Sequence, residues 1–175
     1  MRVVAGVLRG RRIEAPPGTD TRPTTDMVRE AVFNALGSLD VIHDAKVADL
    51  FAGTGALGIE AISRGASHCT FVERDRTALR WLRQNLDHLG IDDRCRVMPG
   101  DALVLARGLT VDIVFADPPY DFDQWPALLA VVNTDFVVAE SGREIDPIAG
   151  WEITRSKRYG RSVITFFDRI VAEAE

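Results

Sequence analysis

The chain has 175 residues, 46% of them hydrophobic and 27% charged, with a formal net charge of -5. That suits one domain with a sizeable core and excludes a globally basic nucleic-acid binder. No apolar run approaches the roughly 20 residues that span a bilayer, the N-terminus lacks the apolar stretch of a signal peptide, and two cysteines, Cys69 and Cys95, without a CxxC or Cys/His cluster argue against a disulfide scaffold or zinc site and fit a reducing cytoplasm.

Taken in chain order, residues 3–15 read as a short β-hairpin that turns between Gly6 and Gly10 and is closed by Pro16-Pro17-Gly18. Residues 19–25 form a polar loop in which Pro23 biases Arg22 toward an extended backbone. Thr24, Thr25 and Asp26 are N-cap candidates. Met27, Val28, Ala31, Val32, Ala35 and Leu36 then recur at helical spacing, and Gly37 is expected to stop that helix.

From residue 45 onward, short apolar strands alternate with helical segments. Strands are expected at Lys46–Phe51, His68–Glu73, Cys95–Pro99, Val111–Ala116, Phe136–Glu140, Trp151–Lys157 and Ser162–Arg169, with helices such as Ala56–Arg64 and Arg76–Leu89 between the first five. This alternation implies a mostly parallel sheet covered on both faces. Only Tyr159-Gly160 separates the main bodies of the last two strands, which predicts an antiparallel hairpin at the C-terminal end. The expected architecture is α/β: a Rossmann-like, seven-stranded class I methyltransferase fold with an added N-terminal β-hairpin. It forms one domain, with residues 1–18 as the extension and 19–175 as the catalytic core.

The segment Val47–Gly58 reads as strand, glycine turn and helix start. Glycines permit a sharp turn and close ligand approach, and a helix N-terminus offers free N–H groups. Glu73, at the end of the next strand, can accept ribose hydroxyls. Asp101-Ala102, after the third strand, is placed to meet an adenine edge. Phe51, Gly53, Thr54, Gly55 and Arg74 complete the expected cofactor set. Gly53, Gly55 and Gly58 also satisfy GxGxxG, with Glu73 lying 20 residues after Gly53, so a dinucleotide is a competing ligand. Asp49, just before the turn, favours the cationic amine of S-adenosylmethionine over a pyrophosphate.

The strand Val111–Ala116 runs into Asp117-Pro118-Pro119-Tyr120, 64 residues after Gly53. The motif suits methylation of an aromatic amine, whose lone pair is delocalised into the ring. Asp117 and the Pro118 carbonyl can each accept one amino hydrogen, with Pro118 and Pro119 fixing the backbone. Tyr120 can stack on an extruded base. Asp117 also opposes the positive charge that develops on nitrogen.

Positive charge is clumped despite the acidic total. Residues 1–12 hold Arg2, Arg9, Arg11 and Arg12 without an acid, and residues 155–161 hold Arg155, Lys157, Arg158 and Arg161 without one. Of the 21 basic residues, 19 are arginine, the better fork for phosphate. Two such clusters point to a local anionic partner. Trp81, Trp125 and Trp151 read as packing residues, and His43, His68 and His88 show no ligating pattern.

The stretches Arg2–Arg12, Thr21–Asp26, Val28–Phe33, Asp49–Ala61, Ser63–Ala66, Phe71–Glu73 and Asp117–Tyr120, with Tyr159-Gly160 near the end, resemble the bacterial RsmD family of 16S rRNA guanine-N2 methyltransferases over nearly the whole chain. The resemblance implies S-adenosylmethionine as cofactor. It implies the exocyclic N2 amine of one guanine as acceptor, in 16S rRNA of the small subunit or its assembly intermediate. It places Arg22–Phe33 at the cofactor's methionine end and the active-site rim. With it, Arg9, Arg11, Arg12, Arg22 and Thr24 are expected to contact RNA and Phe33 to line the cofactor pocket, although a core aromatic fits Phe33 equally. Thr54 stands where the family usually has serine, and residues 141–150 look short. A monomer is expected. Three alternatives stay open: a DNA adenine-N6 or other amino methyltransferase, an NAD-binding oxidoreductase, and a non-catalytic rRNA-binding assembly factor.

Overall fold

The computed structural model describes residues 1–17 and 26–171. Helix α1 spans Asp26–Ser38, followed by β1 (Lys46–Leu50), α2 (Ala56–Ser63), β2 (His68–Glu73), α3 (Arg76–Leu89) and β3 (Cys95–Pro99). A single helical turn α4 (Ala102–Leu105), β4 (Ile113–Ala116), α5 (Trp125–Val131), β5 (Phe136–Ser141), β6 (Trp151–Tyr159) and β7 (Ser162–Arg169) complete it. The seven strands form one sheet in the order β3-β2-β1-β4-β5-β7-β6. Strands β1 to β5 are parallel; β7 is antiparallel to both β5 and β6.

Period-2 alternation along each strand separates two cores. Val47, Phe71, Phe115, Val138, Ile164 and Phe166 face one side, with apolar residues of α1, α2 and α3. Ala48, Leu50, Val72, Val114, Val137 and Phe167 face the other, with α4 and α5. Full burial of each large side chain contributes roughly 1.5–3 kcal/mol. Helix α3 is closed at both ends: Asp75 accepts the Ala78 N–H at 2.7 Å, and Gly90 ends it with φ 68°.

Several bounds shift by one residue, at the ends of β1, α2 and β5, and four local features differ more. Helix α1 continues through Gly37 to Ser38, and the left-handed turn falls instead at Asp40, with φ 53°. Strand β4 starts at Ile113, because Thr110 and Val111 pair with Asn133 while Asp112 accepts the Lys46 N–H at 2.7 Å. Strand β6 runs on to Tyr159. The N-terminal segment forms a single antiparallel bridge, Arg2 to Arg12, rather than a two-strand ribbon.

Around that bridge, where Val3 N–H donates to the Arg11 carbonyl and Ile13 N–H to the Met1 carbonyl at 2.9 Å each, the N-terminal arm is also held by α2. Val4 and Ala5 N–H groups donate to the two oxygens of Glu60 at 2.9 and 3.0 Å. Leu8 N–H donates to Ser63 Oγ at 3.0 Å, and Val7 N–H to the Ser63 carbonyl at 2.8 Å. Glu60 is fully buried and is flanked by Arg64 Nε at 2.8 Å and by fully buried Arg29 Nε at 3.4 Å. Helices α2 and α3 both start at the carboxyl edge of the parallel strands and end at the opposite edge. The turn of the arm, tied to Ser63, therefore lies at the edge away from the strand carboxyl ends.

Candidate active site

Strand order reverses between β1 and β4, which pair directly. A crevice opens at the carboxyl ends of strands on either side of such a switch point, and ligands of doubly wound sheets bind there. This edge receives the two motifs that the sequence separates by 64 residues: the glycine turn after β1 and Asp117–Tyr120 after β4.

After Leu50 the backbone enters the left-handed region three times, at Phe51 (φ 64°), Gly53 (56°) and Gly55 (93°). Glycine adopts this freely; Phe51 does so at a cost. Its half-buried ring packs edge-on to Phe122 at 5.3 Å, which in turn meets Trp125 at 5.0 Å. The turn delivers the chain to the N-terminus of α2, which Gly55 caps. Buried Thr54 gives its carbonyl to Asn85 Nδ2 at 3.1 Å.

Asp49 is 2% exposed, and its carboxylate accepts the Gly58 N–H at 2.9 Å. Burial pushes its carboxyl well above the ordinary carboxylate range, the Gly58 hydrogen bond opposes this, and the charges of Asp117 and Glu73 add to it. Glu73 accepts N–H groups from Gly53 at 2.7 Å and from Arg74 and Asp75 at 2.8 Å each, which joins the ends of β1 and β2. Asp101 caps α4 through Oδ1, accepting from Leu103 at 2.9 Å and Val104 at 3.3 Å, while Oδ2 lies 3.9 Å from exposed Arg74. Ala102 is buried behind it.

Asp117 is half-buried, Pro118 is buried and Pro119 is exposed. The Phe122 N–H closes a turn onto the Pro119 carbonyl at 2.9 Å. Tyr120 is 50% exposed, and its hydroxyl donates to the Arg161 carbonyl at 2.9 Å. Its ring lies on Gly142, where a Cβ would come 2.0 Å from the ring edge. Gly142→Ala is therefore expected to push the Tyr120 ring off its seat and lower kcat/KM about tenfold, roughly 1.4 kcal/mol. Cofactor affinity should stay unchanged. Steady-state kinetics with calorimetry check this, and a wild-type kcat/KM would remove Tyr120 from the substrate site.

The structure thus brings Asp49, Phe51, Gly53, Thr54, Gly55, Glu73, Arg74, Asp101, Ala102 and the Asp117–Tyr120 motif to one edge of the sheet. Phe33 does not join them. It is 1% exposed, stacks at 5.4 Å on Phe115 and lies under Arg64 at 5.3 Å, so it packs the core rather than a ligand pocket. The arm arginines are also elsewhere: Arg11 Nη2 donates to the His88 carbonyl at 2.8 Å, Arg12 pairs with Glu14 at 3.7 Å, and Arg9 is exposed. Arg22 and Thr24 lie outside the described residues. Of the tryptophans, Trp125 and Trp151 are buried and Trp81 is half-buried. Glu60, Arg29, Asn85 and Gly142, which hold the arm, the glycine turn and Tyr120, were not singled out by motif; a lone acid in the apolar helix Ala56–Ser63 and an arginine on the apolar face of α1 were their signals.

The Asp49 geometry makes a prediction about pH. Its proton is held more tightly in the folded protein than in the unfolded chain. Folding is therefore favoured below the ordinary carboxylate range and loses stability as pH rises toward the raised native value. Asp49→Asn removes that loss. Its melting temperature should exceed the wild type's by a margin that grows with pH, at roughly 2–4 °C per kcal/mol relieved. Affinity for a cationic cofactor should fall about tenfold, roughly 1.4 kcal/mol. Parallel melting curves across pH would contradict the assignment.

A family model described as Conserved hypothetical protein 95 matches residues 1–168. Ribosomal RNA small subunit methyltransferase D of Escherichia coli (strain K12) is 36% identical over 183 residues, covering 97% of this chain and 90% of that protein. YlbH of Bacillus subtilis (strain 168) is also 36% identical, over 184 residues, covering 97% of this chain and 99% of its own. Among solved structures, Escherichia coli yhhF superposes with a TM-score of 0.85 at 35% identity, covering 97% of each chain. A family model along nearly all of the chain, with relatives of this similarity, shows that the protein belongs to the RsmD family.

Proposed function

We propose that the protein transfers a methyl group from S-adenosylmethionine to the exocyclic N2 amine of a guanine in 16S rRNA, within the small ribosomal subunit or its assembly intermediate. The observation that carries the cofactor assignment is the charge of the crevice. Asp49 is buried, and the negative charges of Asp117 and Glu73 act on it. A ligand bearing an ammonium and a sulfonium relieves that repulsion, whereas a pyrophosphate increases it. Among the described residues no group of three His, Cys, Asp or Glu could hold a metal ion, so these carboxylates do not converge as metal ligands.

Asp49 and the Gly53–Gly55 turn would hold the methionine end, Glu73 the ribose, and Asp101 with Ala102 the adenine. Phe51, Thr54 and exposed Arg74 border that set. Bound S-adenosylmethionine supplies a methyl group on positively charged sulfur, the electrophile of the reaction. Asp117 and the Pro118 carbonyl accept the two amino hydrogens and turn the nitrogen lone pair toward that electrophile. Pro119 stiffens the loop, and Tyr120 stacks on the base. Asp117, at the half-buried base of the crevice, stabilises the charge that develops on nitrogen and takes up its proton, directly or through water.

Support for an rRNA substrate comes from the relatives' names. For Asp-Pro-Pro-Tyr alone, any amino-bearing base would serve. We read residues 1–18 as an extension and 19–175 as the catalytic core of one methyltransferase domain, acting as a cytoplasmic monomer. No helix among the described residues is long and apolar enough to cross a membrane. Arg9 and Arg12 are proposed as a distal RNA contact, with Arg11 largely committed to the end of α3; Arg22 and Thr24 belong to the proposed rim. Calorimetry with S-adenosylmethionine and NAD, followed by labelled-methyl transfer to undermethylated small subunits and to duplex DNA, tests the reading. Binding of the first cofactor and transfer to small subunits alone are expected. Tight NAD binding, or transfer to DNA instead, would overturn it.

A further inference from the structure

We infer that the half of the β6–β7 hairpin nearest the active site is a phosphate track that leads the RNA strand to Tyr120; this rests on the rRNA reading above. Strand β7 is antiparallel to β5, and β6 to β7, so β6 runs in the direction of β5 and ends at the carboxyl edge that carries Asp49 and Asp117. Charge changes along it. Its first residues, Trp151 and Glu152, include an acid; from residue 155 to 161 there are four cations and none. Arg155, Lys157, Arg158 and Arg161 are exposed, and among the described residues none forms an ion pair.

Cross-strand pairing places Arg155 opposite Phe166 and Lys157 opposite Ile164, on the face beside α1. The Arg155 guanidinium lies 5.8 Å from the Phe166 ring centre and the Lys157 ammonium 5.2 Å from that of Tyr159. Both heads thus rim a shallow groove whose other wall is Ala31 and Ala35 of α1. From Arg155 to Tyr159 the strand covers about 13 Å. Charges on an edge strand also discourage pairing with other chains. Mixed charge would meet that need as well; exclusion of acids from only the end nearest the active site is what an anionic ligand requires.

The tip is fastened to the catalytic loop. Tyr120 donates to the Arg161 carbonyl at 2.9 Å, and next to it Ser162 Oγ donates to the buried carboxylate of Glu140 at 2.5 Å. A phosphate gripped by this hairpin is therefore held in a fixed relation to the ring that would stack on the target base. Arg11 cannot do this, because it is tied to the far end of α3.

The test compares wild type, Arg155→Glu/Lys157→Glu/Arg158→Glu, a milder Arg155→Gln/Lys157→Gln variant, and Arg9→Glu/Arg12→Glu. Measurements are RNA KM and kcat on undermethylated small subunits, cofactor affinity, and the salt dependence of binding to a 16S rRNA fragment. The triple variant should raise KM at least tenfold with kcat within threefold and cofactor affinity unchanged. Its log–log salt slope should be shallower by roughly 2, at about 0.7–0.9 per lost phosphate contact. The glutamine variant should shift both in the same direction, which guards against misfolding of the triple variant, and the arm variant should shift KM less. Wild-type KM and slope in the hairpin variants, from an enzyme that methylates rRNA, would overturn the track alone. A wild-type enzyme that neither binds nor methylates rRNA would overturn both readings.

Discussion

Asp117→Ala is expected to lower methyl transfer by about 10²–10³-fold or more, on the order of 3–4 kcal/mol, while cofactor affinity stays within about threefold. An aromatic amine is nearly planar and poorly nucleophilic, so its reactivity depends on a group that accepts one hydrogen and tolerates growing positive charge. Asp117 follows β4 directly, where the strand ends fix its backbone, and Pro118 is buried behind it. Its charge also reaches Asp49 and helps to raise that carboxyl. Removing it should therefore ease ionisation of Asp49, which offsets the loss of Asp117's own attraction for a cation and keeps cofactor affinity nearly level. Single-turnover kinetics and calorimetry separate the two effects. If activity survived within about tenfold, roughly 1.4 kcal/mol, Asp117 would not be the amine-orienting group.

The largest expected loss of stability comes from Glu60→Ala. Glu60 is fully buried, accepts hydrogen bonds from the Val4 and Ala5 N–H groups and from Arg64 Nε, and forms an ion pair with Arg29 at 3.4 Å. Its removal leaves Arg29, itself fully buried, without that carboxylate and with Asp26 at 2.8 Å as its remaining acid partner. Breaking one side of a buried pair costs about 3–5 kcal/mol, or roughly 6–20 °C in melting temperature for a chain of this size. The loss should be local as well as global. Hydrogen exchange at Val4, Ala5 and Leu8 should speed up before that of β1, because those amides depend on α2 side chains. A change below about 1 kcal/mol, with the arm still protected, would show that the arm is held by its apolar contacts through Val3, Leu8 and Ile13.

Most of the sheet was legible because its strands are short apolar runs bounded by turn residues. His68–Glu73, Cys95–Pro99 and Ser162–Arg169 match the periodicity to the residue, as does helix Arg76–Leu89, whose Asp75 and Gly90 caps are local signals. What failed was tertiary. Gly37 does not end α1, since glycine merely permits a left-handed turn and here Asp40 takes it. The N-terminal pairing is shorter than the pattern suggests: Val3 and Ile13 bond across it to Arg11 and Met1, while Val4, Ala5 and Leu8 turn to Glu60 and Ser63, more than 50 residues away in sequence, which no local pattern encodes. The same limit hid the seat of Tyr120 on Gly142, whereas core packing of Phe33, seen against Phe115, was one of the two readings its residue type allowed. At the site, residue types and spacing named the carboxylates; the folded structure shows how deeply Asp49 is buried, which is the main reason its carboxyl is raised, with the charges of Asp117 and Glu73 adding to it.

The identity of the methylated product decides whether the enzyme acts on 16S rRNA guanine. Small subunits from cells lacking this protein, incubated with the purified enzyme and methyl-labelled S-adenosylmethionine, are digested to nucleosides and the label is identified by mass spectrometry. Labelled N2-methylguanosine is expected at one position of 16S rRNA, dependent on Asp117. Label on an adenine, on a ribosomal protein, or on no component of the small subunit would contradict it.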